Sequence, residues 1–81
     1  MKMRMVGMNN RGVFVQIENG NKWNQTFMEN NGFLQMMEND FPKYVKEYES
    51  SKKGIDIISW LYHYGENKKM IAKGQAFIFS E

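Results

Sequence analysis

Residues 55–64 read Ile55-Asp56-Ile57-Ile58-Ser59-Trp60-Leu61-Tyr62-His63-Tyr64, Gly65-Glu66-Asn67 follows, and residues 68–80 run from Lys68 to Phe79 and Ser80. Gly-Glu-Asn between two apolar runs is turn chemistry, so the stretch reads as one long β-hairpin. Alternation then places Ile55, Ile57, Ser59, Leu61 and His63 on one face and Asp56, Ile58, Trp60, Tyr62 and Tyr64 on the other. A strand apolar on both sides is expected to be central and covered twice. In the return strand Gly74 marks a bulge, and Ala76 to Phe79 is again apolar on both faces.

Upstream lies the helical cover. Phe33, Met37, Phe41, Tyr44 or Val45, and Tyr48 recur in steps of three and four, the helical period. Asn30-Asn31-Gly32 supplies the capping start. Pro42 interrupts the run and pushes Phe41 out of helical conformation. Two helices are therefore expected, 31–40 and 42–50, or one with a sharp kink. Ser50-Ser51-Lys52-Lys53-Gly54 ends the region.

Further upstream the period is two. Lys2, Arg4 and Val6 alternate with Met3, Met5 and Gly7. After the turn Asn9-Asn10-Arg11-Gly12, Val13, Val15 and Ile17 alternate with Phe14, Gln16 and Glu18. Asn19-Gly20-Asn21 turns the chain again, and Trp23, Gln25 and Phe27 alternate with Asn24, Thr26 and Met28. The inner face of this three-stranded meander is expected to be Met3, Met5, Val13, Val15 and Ile17. The whole reads as one α+β domain over 1–81, in the order β-β-β-α-α-β-β, with an antiparallel sheet and helices packed on one face. The other face is left for a second copy, a partner or water.

Composition narrows the function. A chain of 81 residues buries only about 60% of its unfolded surface. Without cysteine it has no disulfide or thiolate metal site to help. Self-association is the remaining common route, so a homodimer is expected. No apolar run reaches the roughly 18 residues of a spanning helix, and the charged start is unlike a signal peptide. The expected setting is a cytoplasm, with no membrane contact. Net charge is +2, which allows nucleic-acid binding without demanding it. Eight methionines and nine asparagines suggest an AT-rich coding sequence of the bacteriophage or low-GC bacterial kind.

Little in the chain can do chemistry. His63 is the single histidine, and on a strand Asp56 would face away from it. Glu38 with Asp40, and Glu47 with Glu49, stand two apart and cannot share a helix face. The seven glycines are scattered, so none form a phosphate loop. The expectation is a non-enzyme with no cofactor and no metal.

The aromatic row Trp60, Tyr62, Tyr64 is the strongest candidate surface. On a strand the rings would follow one another every ~7 Å. Such a row can be core beneath the helices, a protein-binding patch, or a platform on which bases stack at roughly 1–3 kcal/mol each. Lys68, Lys69 and Lys73 lie across the turn from it and read either as solvated edge charge or as the basic border of that platform. Asp56-Ile57, Trp60, Lys69-Met70 and Lys73-Gly74 stand in an order that resembles, over a short span and without an invariant motif, two strands of the whirly-type transcriptional coactivators. That resemblance implies single-stranded DNA bound on a curved sheet. Methionines add an adaptable apolar patch at Phe33, Met36, Met37 and Phe41.

The leading expectation is a small binding protein that occupies a surface of a larger host protein, as a phage- or mobile-element-type inhibitor or adaptor. Its anchors would be Trp60, Tyr62, Tyr64 and Phe79. The alternative is a single-stranded nucleic-acid binder using the same rings with Lys68, Lys69 and Lys73.

Overall fold

The computed structural model describes residues 1–51 and 54–81. Strands β1 (Lys2–Met8), β2 (Gly12–Asn19) and β3 (Lys22–Glu29) come first, followed by helices α1 (Asn30–Asp40), α2 (Pro42–Ser51), α3 (Ile57–Tyr62) and α4 (Tyr64–Asn67), and the last strand β4 (Ile78–Ser80). The four strands form one antiparallel sheet in the order β3-β2-β1-β4. The molecule is an α+β domain with an antiparallel sheet, as the alternation and the helical spacing indicate.

Turn chemistry makes the meander. The Asn9 side chain accepts hydrogen bonds from the backbone N–H groups of Arg11 (2.8 Å) and Gly12 (3.0 Å), folding the first turn on itself. The second turn has two residues, Gly20-Asn21, with φ +67° at Gly20. Positive φ at the first central residue alone is the type II′ geometry that suits strand twist. β2 and β3 then pair along their whole length, from Gly12 opposite Glu29 to Asn19 opposite Lys22. β1 is less regular, with a bulge between Met5 and Gly7.

β3 runs into α1 without a linker. Asn30 begins the helix, and its N–H donates to the carbonyl of Arg11 at 3.2 Å. The helix start is thereby tied to the first turn. Phe41 separates α1 from α2 in a non-helical conformation, its N–H donating to Met37 at 2.9 Å, as Pro42 requires. Phe33, Met37, Phe41 and Tyr44 all point into one core with Met3, Met5, Val13 and Val15 of the sheet. Lys52 and Lys53, at the expected end of the helical region, lie outside the described residues.

The expected last hairpin is not there. Residues 57–62 and 64–67 are helical, and of the return strand only Ile78–Ser80 joins the sheet, against Lys2–Arg4 of β1. Residues 68–77 form turns and irregular chain, with Gly74 at φ +89° in a loop rather than a bulge. The two strands of the whirly-type resemblance are absent with it. The physical reason is the number of layers available. A strand apolar on both faces needs cover on both, whereas the same residues wound as helix gather Trp60, Leu61 and Tyr64 on one side, at steps of one, three and four. That side is buried in the core while Tyr62 and His63 are only half-buried. Asp56 starts the helix: its side chain accepts from the Ser59 N–H at 3.0 Å.

The irregular stretch is packed, not loose. Phe77 and Phe79 meet the rings of Tyr44 and Tyr64 at centroid distances of 4.9–6.2 Å. A side chain at Gly65 would stand 2.9 Å from Ile71 and from the Phe77 Cβ. The Tyr44 hydroxyl donates to the carbonyl of Ser80 at 3.1 Å, pinning β4 to α2.

Two outcomes follow. Trp60→Ala lowers stability by about 3–5 kcal/mol, the range for emptying a buried aromatic position; chemical denaturation followed by circular dichroism measures it, and an unchanged midpoint would mean that Trp60 is not core. Asp56→Ala costs about 1 kcal/mol at neutral pH. Hydrogen bonds from Ser59, its backbone N–H first, hold the Asp56 carboxyl below its ordinary value. A lowered carboxylate pKa stabilises the fold above the unfolded value, ~3.9, and the effect fades as pH falls through the lowered one. The gap between wild type and Asp56→Ala, measured by thermal melts, therefore closes on the acid side.

Candidate interface on the open sheet face

The seven expected site residues do not form one surface. Trp60 and Tyr64 are 7% exposed and Phe79 is 1% exposed. Trp60 and Tyr64 lie one helical turn apart with ring centroids 5.2 Å apart, while Tyr62 sits on another side, edge-on to His63. The strand row Trp60, Tyr62, Tyr64 is thus corrected to two core rings and one half-buried ring. Lys69 and Lys73 are exposed in the stretch after α4.

Lys68 does meet Tyr64. Its ammonium pairs with Glu47 and stands 5.1 Å from the Tyr64 ring centroid, and the Tyr64 hydroxyl donates to the other Glu47 oxygen at 2.8 Å. Burial, and secondarily Tyr44, raise the Tyr64 pKa. These three groups and Trp60 border a cleft of about 510 Å³. Each Glu47 oxygen thus has a partner within this group. The His63 ring nitrogen Nδ1 lies 3.0 Å from the Ser59 carbonyl. Among the described residues no three His, Cys, Asp or Glu side chains are grouped to hold a metal ion.

The uncovered surface is the other side of the sheet. Pairing sets its rungs. Gly7, Phe14 and Phe27 form one; Ile78, Arg4, Gln16 and Gln25 form the next; Glu18 and Trp23 stand beyond. Phe14, Phe27 and Ile78 are 38%, 40% and 43% exposed, against 0% for Val13 and Val15 on the inner face. No element packs on these rungs among the described residues.

Local contacts hold the side chains of this surface in place. The rings of Phe14 and Phe27 meet at 4.9 Å. Phe27 lies over Gly12, where a Cβ would come within 2.6 Å of its ring and closer still to the Met28 carbonyl. The Arg4 Nε donates to Gln16 at 2.7 Å, Gln16 donates to Gln25 at 3.1 Å, and the Arg4 guanidinium stacks 4.2 Å from the centroid of the Trp23 ring. A cation over an exposed ring is worth about 0.5–1 kcal/mol; here it also fixes a long side chain across β2. Charges on this face balance, with Lys2 and Arg4 against Glu18 and Glu29.

The parity of β1 to β3 already put Phe14, Trp23 and Phe27 on the polar face, opposite Val13 and Val15. The signal was three large aromatics where alternation calls for polar residues.

Comparison with protein-family models, with curated proteins and with solved structures finds no match for this chain.

Gly12→Ala tests the geometry of this face. The added methyl must move the Phe27 ring or the β3 backbone, at a cost of about 1–3 kcal/mol. The Phe14 and Phe27 ring signals in NMR spectra should shift together while those of Phe33 stay in place.

Proposed function

We propose that this chain is a small non-enzymatic binding protein that occupies a surface of a larger protein with the open face of its sheet. One observation supports this above the others: Phe14, Phe27 and Ile78 stay exposed on a face where Arg4, Gln16 and Gln25 are already tied to one another. Side chains held in place before binding lose less freedom on binding. Aromatic residues and arginine are also the types enriched among binding hot spots. The anchors of this reading are Phe14, Phe27, Trp23 and Arg4, in place of the buried Trp60, Tyr64 and Phe79. An inhibitor or adaptor of phage or mobile-element type, working in a cytoplasm, is the setting that composition suggests.

The partner chemistry follows from the charges. With two bases and two acids the face has no net attraction for a polyanion, and its polar row Arg4, Gln16 and Gln25 runs between Phe14 and Phe27 on one side and Trp23 on the other. Protein interfaces mix apolar and hydrogen-bonding groups in this way. Its complement is a surface of near-neutral charge that offers apolar groups and hydrogen-bond partners together. A single-stranded nucleic acid would call instead for a basic groove along the rings and binding that weakens steeply with salt.

The test compares wild type with Phe14→Ser/Phe27→Ser as immobilised baits in lysate of the source cells. A protein retained by the wild type and lost from the variant, with the variant's circular dichroism unchanged, is the expected result. Equal retention by both baits would overturn the reading. Salt-dependent binding of a labelled single-stranded oligonucleotide, lost in the same variant, would replace it with the nucleic-acid one.

A further inference from the structure

We propose that two copies of the chain join through β3, antiparallel and in one register, with Gln25 opposite Gln25 of the second copy, to make a single eight-stranded sheet. This goes beyond the binding role of the face, and either can fail without the other.

β3 is an edge strand. Proteins usually blunt such edges with a proline, a bulge, a charge or a very short strand. β4, at the opposite edge, has three residues. β3 has eight, pairs with β2 without a break, and carries no charge between Lys22 and Glu29. It is the one long regular edge among the described residues.

The hairpin turn decides which backbone groups this edge offers. A two-residue loop closes on a hydrogen-bonded pair, here Asn19 and Lys22, and antiparallel pairs then alternate. Lys22, Asn24, Thr26 and Met28 turn their N–H and C=O groups toward β2. Trp23, Gln25 and Phe27 turn theirs outward.

Symmetry decides the register. If both copies keep their helices on the same side of a continuous sheet, the twofold axis is perpendicular to the sheet and each residue meets one from the same face. Odd residues of β3 therefore face odd residues, and those are the ones with outward N–H and C=O groups. Centring on Gln25 sets Trp23 opposite Phe27 in two symmetric aromatic pairs, a favoured cross-strand combination. It also runs the Arg4–Gln16–Gln25 chain of side chains across the axis into the second copy. Centring on Thr26 instead sets Trp23 against Glu29 and Gln25 against Phe27. Centring on Asn24 sets Phe27 against the turn residue Asn21. Of these three registers only the first matches aromatic to aromatic and amide to amide, and it keeps every such pair within Lys22–Glu29.

The experiment is sedimentation equilibrium of the purified chain, with amide hydrogen exchange, over a dilution series reaching about 1 mM, the weak end of specific association. The expected mass is twice that of the chain, falling on dilution, and exchange at Trp23, Gln25 and Phe27 slows with concentration. Gln25→Lys and Gln25→Glu each place like charges across the axis, about 5.5 Å apart between Cα atoms. Each alone should be monomeric, and an equimolar mixture should recover the doubled mass. A wild type that stays monomeric throughout, a Gln25→Lys variant that still dimerises, or a mixture that stays monomeric would each overturn the proposal.

Discussion

Helices lie against one side of the sheet, and the contact between them and that side governs the rest of the molecule. Phe33, Met37, Phe41 and Leu61 are fully buried against Met3, Val13 and Val15. Removing such surface from water is the main favourable term in a domain of this size, and it specifies strand parity. A slip of one residue in β2 would bring Phe14 and Gln16 inward and turn Val13 and Val15 out. The buried seam therefore also determines which residues are left on the far side. Phe14 is exposed because Val13 and Val15 are needed beneath the helices, and pairing of β3 with β2 puts Phe27, exposed, and Trp23, half-buried, on the same side.

Two aromatic groups result, with different surroundings. Tyr44, Trp60, Tyr64, Phe77 and Phe79 meet mostly edge to face, each contact worth about 0.5–1.5 kcal/mol beyond burial. They fasten the last strand and the irregular stretch before it to the helices. On the other side Phe14, Phe27 and Trp23 contact each other or Arg4, and their outer surfaces meet solvent. A small chain that keeps large rings exposed forgoes burial that would stabilise it. The binding role proposed for that face accounts for them, and pairing through β3 would carry the face onward into a second copy.

The first two-thirds of the chain was legible because local and long-range requirements agree there. Asparagine and glycine mark both turns, valines alternate, and Pro42 divides two helices whose apolar positions step by three and four. Residues 55–64 were not legible from alternation. Ile55, Ile57 and Ile58 favour strand by local preference, yet Trp60, Leu61 and Tyr64 also fit a helical turn, and short apolar runs satisfy both periods. The decision came from elsewhere: the sheet had one face to cover, and Asp56 stood in place to cap a helix. A sheet covered once has a bare face, and alternation in β2 and β3 already names Phe14, Trp23 and Phe27 as its residues.

The most direct measurement is the accessibility of individual side chains in solution, from NMR relaxation caused by an inert, soluble paramagnetic probe. The arrangement described here predicts strong relaxation at the Phe14 and Phe27 rings, and little at Trp60, Phe33, Val13 and Val15. Protection of Phe14 and Phe27 together with strong relaxation at Val13, Val15 or Trp60 would contradict it, because the helices would then lie on the other face of the sheet.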